Sequence, residues 1–499
     1  MGLIFRQSLK SSVGFYIGVA LGAINTLFIS TQFLSPDQLA ISRILLENSL
    51  IFAAFSHLGT PYITDKFFAY FKNDEQKHNG FLLFILLFPL VGFSLFLIAY
   101  AIFDVNIASF FLAKSPTIIP YIWLSLPITF CWVYILVLES YSRVNGRTAI
   151  PTFFREVIFR GINILLILML GFGWISFDLF LYLFVGSMAL IALSLLLYIK
   201  QLGKLYLKWN AAAWNNALVY QMVGFGSIII IGGIGANLIL FLDRNILANQ
   251  IGTTAVAIFT VAAYIAAVIE IPSKAIRQIS GPIMADAVYR DDKAQVKGLY
   301  QKSALNLLLV GGIMFLLIAF NIDSLLSILP KSEIYKQGKW VVIILGAAKW
   351  IDMSLGLNIE MITYSKYFKM NTLLIIFMAF LTVYANLALI PIFGVAGSAI
   401  ATGGIALLSS LLRLAFVRWK FDVVPFVKKD GLALGVLGVA ALIGWALPSS
   451  ESSFGLAIIS IAVKSVLMIS AFAYLIIRYN ISTDLTVIYN KFVVPIFKR

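Results

Sequence analysis

From Gly80 to Ile102 the chain runs without one charged side chain, and a second such run goes from Ile162 to Gly173. A helix needs about 20 mostly apolar residues to cross a bilayer. Lipid offers backbone N–H and C=O groups no partner, so only helices and closed barrels cross it. Barrel strands alternate apolar and polar residues over about 10 positions, and these runs do not alternate. The whole chain is 61% hydrophobic and 12% charged, with mean hydropathy +0.97, where a soluble domain is about a quarter charged. The fold class is therefore all-α integral membrane, with most of the 499 residues inside a bilayer.

Apolar length predicts about fourteen transmembrane helices: 12–31, 39–59, 81–103, 118–139, 150–173, 179–199, 223–248, 255–273, 304–321, 340–362, 372–391, 397–417, 431–447 and 456–477. An even number puts both termini on one side. Of the 37 Lys and Arg, four fall in one set of loops (Lys114, Lys331, Lys336, Lys339) and seven within spans, so 26 lie on the side of the termini. Cytoplasmic loops collect Lys and Arg, so both termini are expected in the cytoplasm.

This topology also accounts for the net charge of +15 and the pI near 9.6. In a soluble protein that charge would point to nucleic acid; here no nucleic-acid partner is expected. The single Cys131 excludes an intrachain disulfide and a multi-cysteine metal site. The N-terminal apolar run is too long for a cleaved signal and lacks a small-residue cleavage site. Arg6 stands where a myristoylation motif at Met1-Gly2 wants Ser or Thr. No P-loop, His-Glu-x-x-His or Gly-x-Ser-x-Gly motif occurs, and Gly232-Gly233-Ile234-Gly235 lies inside a span, following no strand. His57 and His78 are too few, and too near the inner surface, for a metal site or triad. No cofactor, metal or enzymatic activity is expected.

An internal repeat is visible. Leu34 to Ile41, leaving the first span through Ser35-Pro36-Asp37-Gln38, matches Ile251 to Ile258, leaving the seventh through Gly252-Thr253-Thr254, at an offset of 217. Gly171-Phe172-Gly173 matches Phe393-Gly394-Val395 at an offset of 221. Six spans per unit keep the halves in one orientation, a parallel repeat about the membrane normal, as in transporters.

Leu242-Asp243-Arg244-Asn245-Ile246-Leu247 through Ile251-Gly252, then Ala257-Ile258-Phe259-Thr260, Ile271-Pro272 and Gly281-Pro282-Ile283-Met284-Ala285, resembles the start of the second half of bacterial oligosaccharide flippases. These belong to the multidrug/oligosaccharidyl-lipid/polysaccharide exporter superfamily. Phe393 to Thr402 and the Ser35-Pro36-Asp37 turn are similar too. The resemblance implies two six-helix lobes around a cavity, 1–200 and 201–430, with two C-terminal helices and a cytoplasmic tail in 431–499. It implies alternating access that moves polyprenyl-diphosphate-linked sugar units from the inner to the outer leaflet of the bacterial inner membrane, driven by an ion or membrane-potential gradient.

Charges inside spans are costly and face a cavity or a partner. The seven cations are Arg43, Arg155, Arg160, Arg244, Lys349, Arg413 and Lys464. Three have a carboxylate on the same helix face: Arg43 with Glu47, Arg160 with Glu156, and Lys349 with Asp352. Each is either a structural ion pair or part of a cavity that binds diphosphate, which the planar Arg fork suits. Arg160 and Lys349 lie about 15 Å into their helices, near midplane; Arg43 and Arg244 lie nearer the outer face. Arg155 and Arg413, near the inner face, are expected to snorkel. Lys464 has no local carboxylate, and in the family its helix is implied to border a groove for the lipid tail. The expected substrate site is Arg43, Arg160, Arg244, Lys349 and Lys464, with Glu47 and Asp352 as proton or sodium sites and Glu270 and Glu360 at ordinary helix interfaces. Asp243 is about 100° round the helix from Arg244 and need not pair with it. Gly14, Gly18 and Gly22, and Gly431 with Gly435, have the spacing of close helix packing. Pro127 and Pro272 are expected to kink their helices.

The expected function is flipping of a lipid-linked oligosaccharide for O-antigen, capsule or exopolysaccharide assembly. An ion-coupled multidrug exporter of the same superfamily is the alternative, disfavoured by the intramembrane cations because such exporters carry cationic substrates. A membrane-embedded polysaccharide polymerase or ligase generally needs a large external loop with catalytic residues, and the longest outside stretches, 104–117 and 323–339, carry no evident site.

Overall fold

The computed structural model describes residues 3–451 and 453–486. Met1-Gly2 and the tail from residue 487 lie outside the described residues. The described chain is helical, with no strands. The expected spans fall on fourteen helices: α1 (Val13–Phe33), α2 (Pro36–Ser56), α3 (Lys77–Leu112), α4 (Pro116–Val144), α5 (149–171), α6 (Phe177–Gln201), α7 (Asn216–Gln250), α8 (Thr253–Tyr289), α9 (Lys293–Ser327), α10 (Lys339–Ser354), α11 (Phe368–Phe393), α12 (Val395–Phe421), α13 (Lys429–Ala446) and α14 (Phe454–Arg478), the tenth span being broken after Ser354 and resumed by a short helix, Asn358–Thr363. Among the described residues eleven helices are long and apolar enough to cross a membrane. The other three of this set are α5, α7 and α10, the helices that carry Arg160, Arg244 and Lys349.

Local chemistry sets the helix ends. At α2, Ser35 Oγ accepts from Gln38 N at 3.1 Å while Gln38 Oε1 accepts from Ser35 N at 3.0 Å, and Pro36 fills the first helical position. Ser176, Asp292 and Ser453 cap α6, α9 and α14 in the simpler way. The kinks expected at Pro127 and Pro272 take the form of 3-10 turns, Pro116–Leu124 and Val268–Glu270, just before each proline. A proline ring clashes with the carbonyl four residues back and leaves it without an N–H, so the turn before it tightens.

The helices are longer than the apolar runs. The loop expected over 274–303 is mostly the end of α8 and the start of α9, and α3 runs on to Leu112. A helix that leaves lipid keeps its hydrogen bonds but loses its hydropathy, so its polar end is read as loop. A further helix, Thr60–Phe71, follows a break at Leu58 and Gly59, both in the left-handed region.

Contacts divide the chain into two compact units, Met1–Ala257 and Ile258–Arg499. In the first, α2 packs on α3, α4 and α7, and α1 packs along α5. In the second, α10 and α12 pack together, α11 lies on α12, and α13 and α14 pack on α9. That last seam joins Leu305, Leu309 and Ile313 of α9 to Leu437 of α13 and Met468 of α14. Lipid tails are as apolar as these side chains, so van der Waals fit and interhelical hydrogen bonds hold such seams. The small-residue expectation holds at one place and fails at another. A Cβ on Gly18 would lie 2.7 Å from Glu156 Cβ on α5, whereas one on Gly431 or Gly435 would meet nothing within 4 Å.

Candidate functional site

The first polar cluster joins α2 to α7 within the first unit. On α2, Glu47 and Asn48 are buried; on α7, Asp243-Arg244-Asn245 make a polar step in an apolar helix. Asn245 Nδ2 donates to Asn48 Oδ1 at 2.7 Å. Arg244 Nη1 lies 3.4 Å from Glu47 Oε2 and 3.6 Å from Asp243 Oδ1. Both contacts exceed a charge-assisted hydrogen bond, about 2.7–2.9 Å, and Nη1 also donates to the Leu240 carbonyl at 3.4 Å. Asp243, which its position about 100° round the helix leaves free to pair or not, lies within 3.6 Å of Arg244. Arg43 Nη2 donates to Thr26 Oγ1 of α1 at 2.8 Å, and its charge acts on Glu47 together with that of Arg244. The two turns matched as a repeat touch here: the Thr253 hydroxyl donates to the Asp37 carboxylate.

A second cluster binds α1 to α5. Arg160 donates from Nη1 to the Gly18 carbonyl at 2.6 Å and from Nη2 to Glu156 at 2.8 Å. Arg155, expected to snorkel, instead bridges Glu139 at 2.7 Å and Glu156 at 3.2 Å. Farther along the same two helices, Asn25 Nδ2 donates to Asn163 Oδ1 at 2.9 Å. Each helix opens into a π turn at one of these contacts, Asn25–Ile29 of α1 at the asparagine pair and Phe154–Ile158 of α5 at Glu156 beside Gly18. Such turns recur at functional sites, where they re-aim side chains.

The second unit has its own network. Lys349 donates to Glu270 of α8, and the Asp352 carboxylate accepts from Ser410 of α12. The expected Lys349–Asp352 pairing is thus replaced by partners on neighbouring helices. Same-face spacing allows a local pair, but packing against two helices offers each group a closer one. Arg277 holds Glu360 through both carboxylate oxygens at 3.0 and 3.1 Å. Arg413 lies in the field of Asp352, Arg277 and Glu360. Sequence reasoning placed Arg277 in a loop and Glu270 and Glu360 at ordinary interfaces. The available signal was spacing: Glu270 and Arg277 are seven residues apart, two helical turns. Lys464 is buried, donating to the Phe320 carbonyl at 3.1 Å and to Ser449 Oγ at 2.7 Å.

Both histidines are engaged locally: His57 Nδ1 accepts from Gly59 N at 3.0 Å and His78 Nδ1 from Asn73 N at 3.1 Å. Among the described residues no group of three or more His, Cys, Asp or Glu is placed to hold a metal ion. These charge networks can bind, exchange and release charged groups between helices.

No protein-family model matches the chain, and no curated protein matches it in sequence. Solved structures do. The lipid II flippase MurJ, in its inward closed conformation, matches with a TM-score of 0.68 at 12% identity, over 93% of this chain and 98% of that one. An inward-facing multidrug resistance MATE family transporter of the MOP superfamily matches at 0.66 and 16%, over 81% and 94%. A MOP superfamily transporter from Pyrococcus furiosus, described by the reverse polarity of its binding pocket, matches at 0.58 and 16%, over 84% and 95%. Identities this low show fold alone. The chain is a multi-pass helical membrane protein with the fold of MOP-superfamily transporters and flippases.

Proposed function

We propose that the protein flips polyprenyl-diphosphate-linked oligosaccharide units from the inner to the outer leaflet of a bacterial inner membrane, by alternating access, for O-antigen, capsule or exopolysaccharide assembly. One observation carries this reading. The likeness to a lipid II flippase covers 93% of the chain, whereas the likeness to the MATE transporter covers 81%. The excess is about the size of the last two helices, α13 and α14. The proposal keeps Arg43, Arg244 and Lys349 as cations that serve the diphosphate. Arg244 is the leading one, because it faces the buried Glu47 across two helices and its planar fork suits a phosphate bidentately. Arg160 is assigned to holding α1 on α5, and Lys464 is left out because its ammonium already has two protein partners. Glu47 and Asp352 stay as the proposed proton or sodium sites.

The test is flipping of a polyprenyl-diphosphate-linked sugar in vesicles, alongside complementation of a deletion strain. Arg244→Ala and Lys349→Ala proteins are expected to insert normally and lose flipping. Full complementation by both would sink the cationic-site reading. The deletion strain is expected to accumulate the lipid-linked intermediate on the inner leaflet.

A second reading, an ion-coupled multidrug exporter, is favoured by the MATE likeness and by charge balance in the first unit. Its spans pair Arg43, Arg155, Arg160 and Arg244 with Glu47, Glu139, Glu156 and Asp243. Drug hypersensitivity of the deletion strain, without accumulation of the lipid-linked intermediate, would select this reading.

A further inference from the structure

A cavity of about 420 Å³ lies at the inner end of the C-terminal helices, between α9, the segment leading into α13 and the segment that follows α14. Its lining combines three cations, Lys302, Lys428 and Lys429, with the apolar side chains of Leu305, Val427 and Ile481. We propose that it binds the phosphate of an anionic phospholipid of the cytoplasmic leaflet.

Three observations converge on that ligand. The first is charge. Lys302 is matched by Asp484 at 2.8 Å. Among the described residues Lys429 donates to a neutral group alone, the Asn480 carbonyl, at 2.7 Å. Lys428 is exposed, with no hydrogen-bond or ion-pair partner among the described residues. The nearby Asp430 is turned to its own helix start, accepting from Val427 N at 2.7 Å. Two ammonium groups thus remain without an ion-pair partner at the rim. The second is depth. Lys302 precedes the apolar run of α9, Lys429 opens α13 and Arg478 closes α14, so the cavity lies at headgroup level. The excess of Lys and Arg in the loops of this face marks it as cytoplasmic. The third is the apolar part of the lining, a wall of side chains from a packed seam. Leu305 and Ile481 belong to the apolar seam between α9, α13 and α14, and Val427 packs on it. A soluble anion needs no such wall, but the glycerol and first methylenes of a phospholipid do. Basic pockets between helices on this side suit anionic headgroups.

The test uses the purified full-length chain in detergent. Thermal unfolding and native mass spectrometry are run with cardiolipin, phosphatidylglycerol, phosphatidylcholine or inorganic phosphate. The two anionic lipids are expected to remain bound and to raise the unfolding temperature; phosphatidylcholine and inorganic phosphate are not. The double variant Lys428→Gln, Lys429→Gln is expected to weaken anionic-lipid binding at least about tenfold. The double variant Lys428→Arg, Lys429→Arg should keep it. Equal binding of phosphatidylcholine, the same effect from inorganic phosphate alone, wild-type affinity in the Gln variant, or loss of binding in a folded Arg variant would each overturn the proposal.

Discussion

At the scale of single residues, the intramembrane arginines differ in their distance to the acids beside them. Arg160 spends both amino groups on α1 and on its own helix, within 2.8 Å, whereas Arg244 stands 3.4 and 3.6 Å from its two acids. A guanidinium bonded within 2.8 Å to two helices fixes them together. Arg244→Lys keeps the charge but loses the planar fork, so its flipping rate is expected to fall between wild type and Arg244→Ala. A rate equal to wild type would show that point charge alone suffices. At Gly18 the constraint is steric, since an added Cβ would lie 2.7 Å from Glu156 Cβ and 2.9 Å from the Glu156 carbonyl oxygen. Gly18→Ala is expected to cost about 1–3 kcal/mol, as overpacking does, read as a lower unfolding temperature in detergent. An unchanged unfolding temperature would mean that α1 and α5 are free to separate.

At the scale of elements, the segment between α6 and α7 is fastened to the first unit. Asn210 Nδ2 donates to Asn79 Oδ1 at 2.9 Å and Trp214 Nε1 to the Asn79 carbonyl at 2.8 Å. Trp209 stacks on Trp214 at 4.6 Å, and Trp214 lies against Phe71 at 4.5 Å. Lys204 bonds Asp74, and that hydrogen bond is the main reason the Asp74 carboxyl is held below the usual carboxylate range. A depressed carboxylate contributes stability above its ordinary value of 3.8, lost as pH falls through the lower folded value. Acidification below 3.8 is therefore expected to loosen the segment, seen as a red shift of tryptophan emission. Asp74→Asn should lack that acid step. Persistence of the full step in Asp74→Asn would assign it to other carboxylates.

At the scale of the whole molecule, topology is open to direct measurement. Cys131 is 7% exposed, so the native chain gives little background with an impermeant maleimide. Lys114→Cys and Glu333→Cys are expected to label from outside intact cells, and Glu75→Cys and Lys293→Cys only after the membrane is opened. The reverse pattern would invert the orientation. Lys/Arg asymmetry between loops predicts this without a structure, because it depends on counts along the chain. The helix positions were legible for the same reason: about 20 apolar residues in lipid have no other stable backbone state. The seven cations were legible as exceptions to that rule. Their partners were not. Arg43 with Glu47, Arg160 with Glu156 and Lys349 with Asp352 have equivalent spacing, yet Arg160 stays with its local acid while Lys349 turns to Glu270 and Asp352 to Ser410. The helix Thr60–Phe71 and the polar ends of α8 and α9 also escaped an apolar count. What the sequence determined by itself was the solvent for each stretch of chain, and hence its secondary structure. Which charge meets which was decided only by tertiary packing, because an ion pair inside lipid is set by which helices are neighbours, at distances that no spacing along one helix encodes.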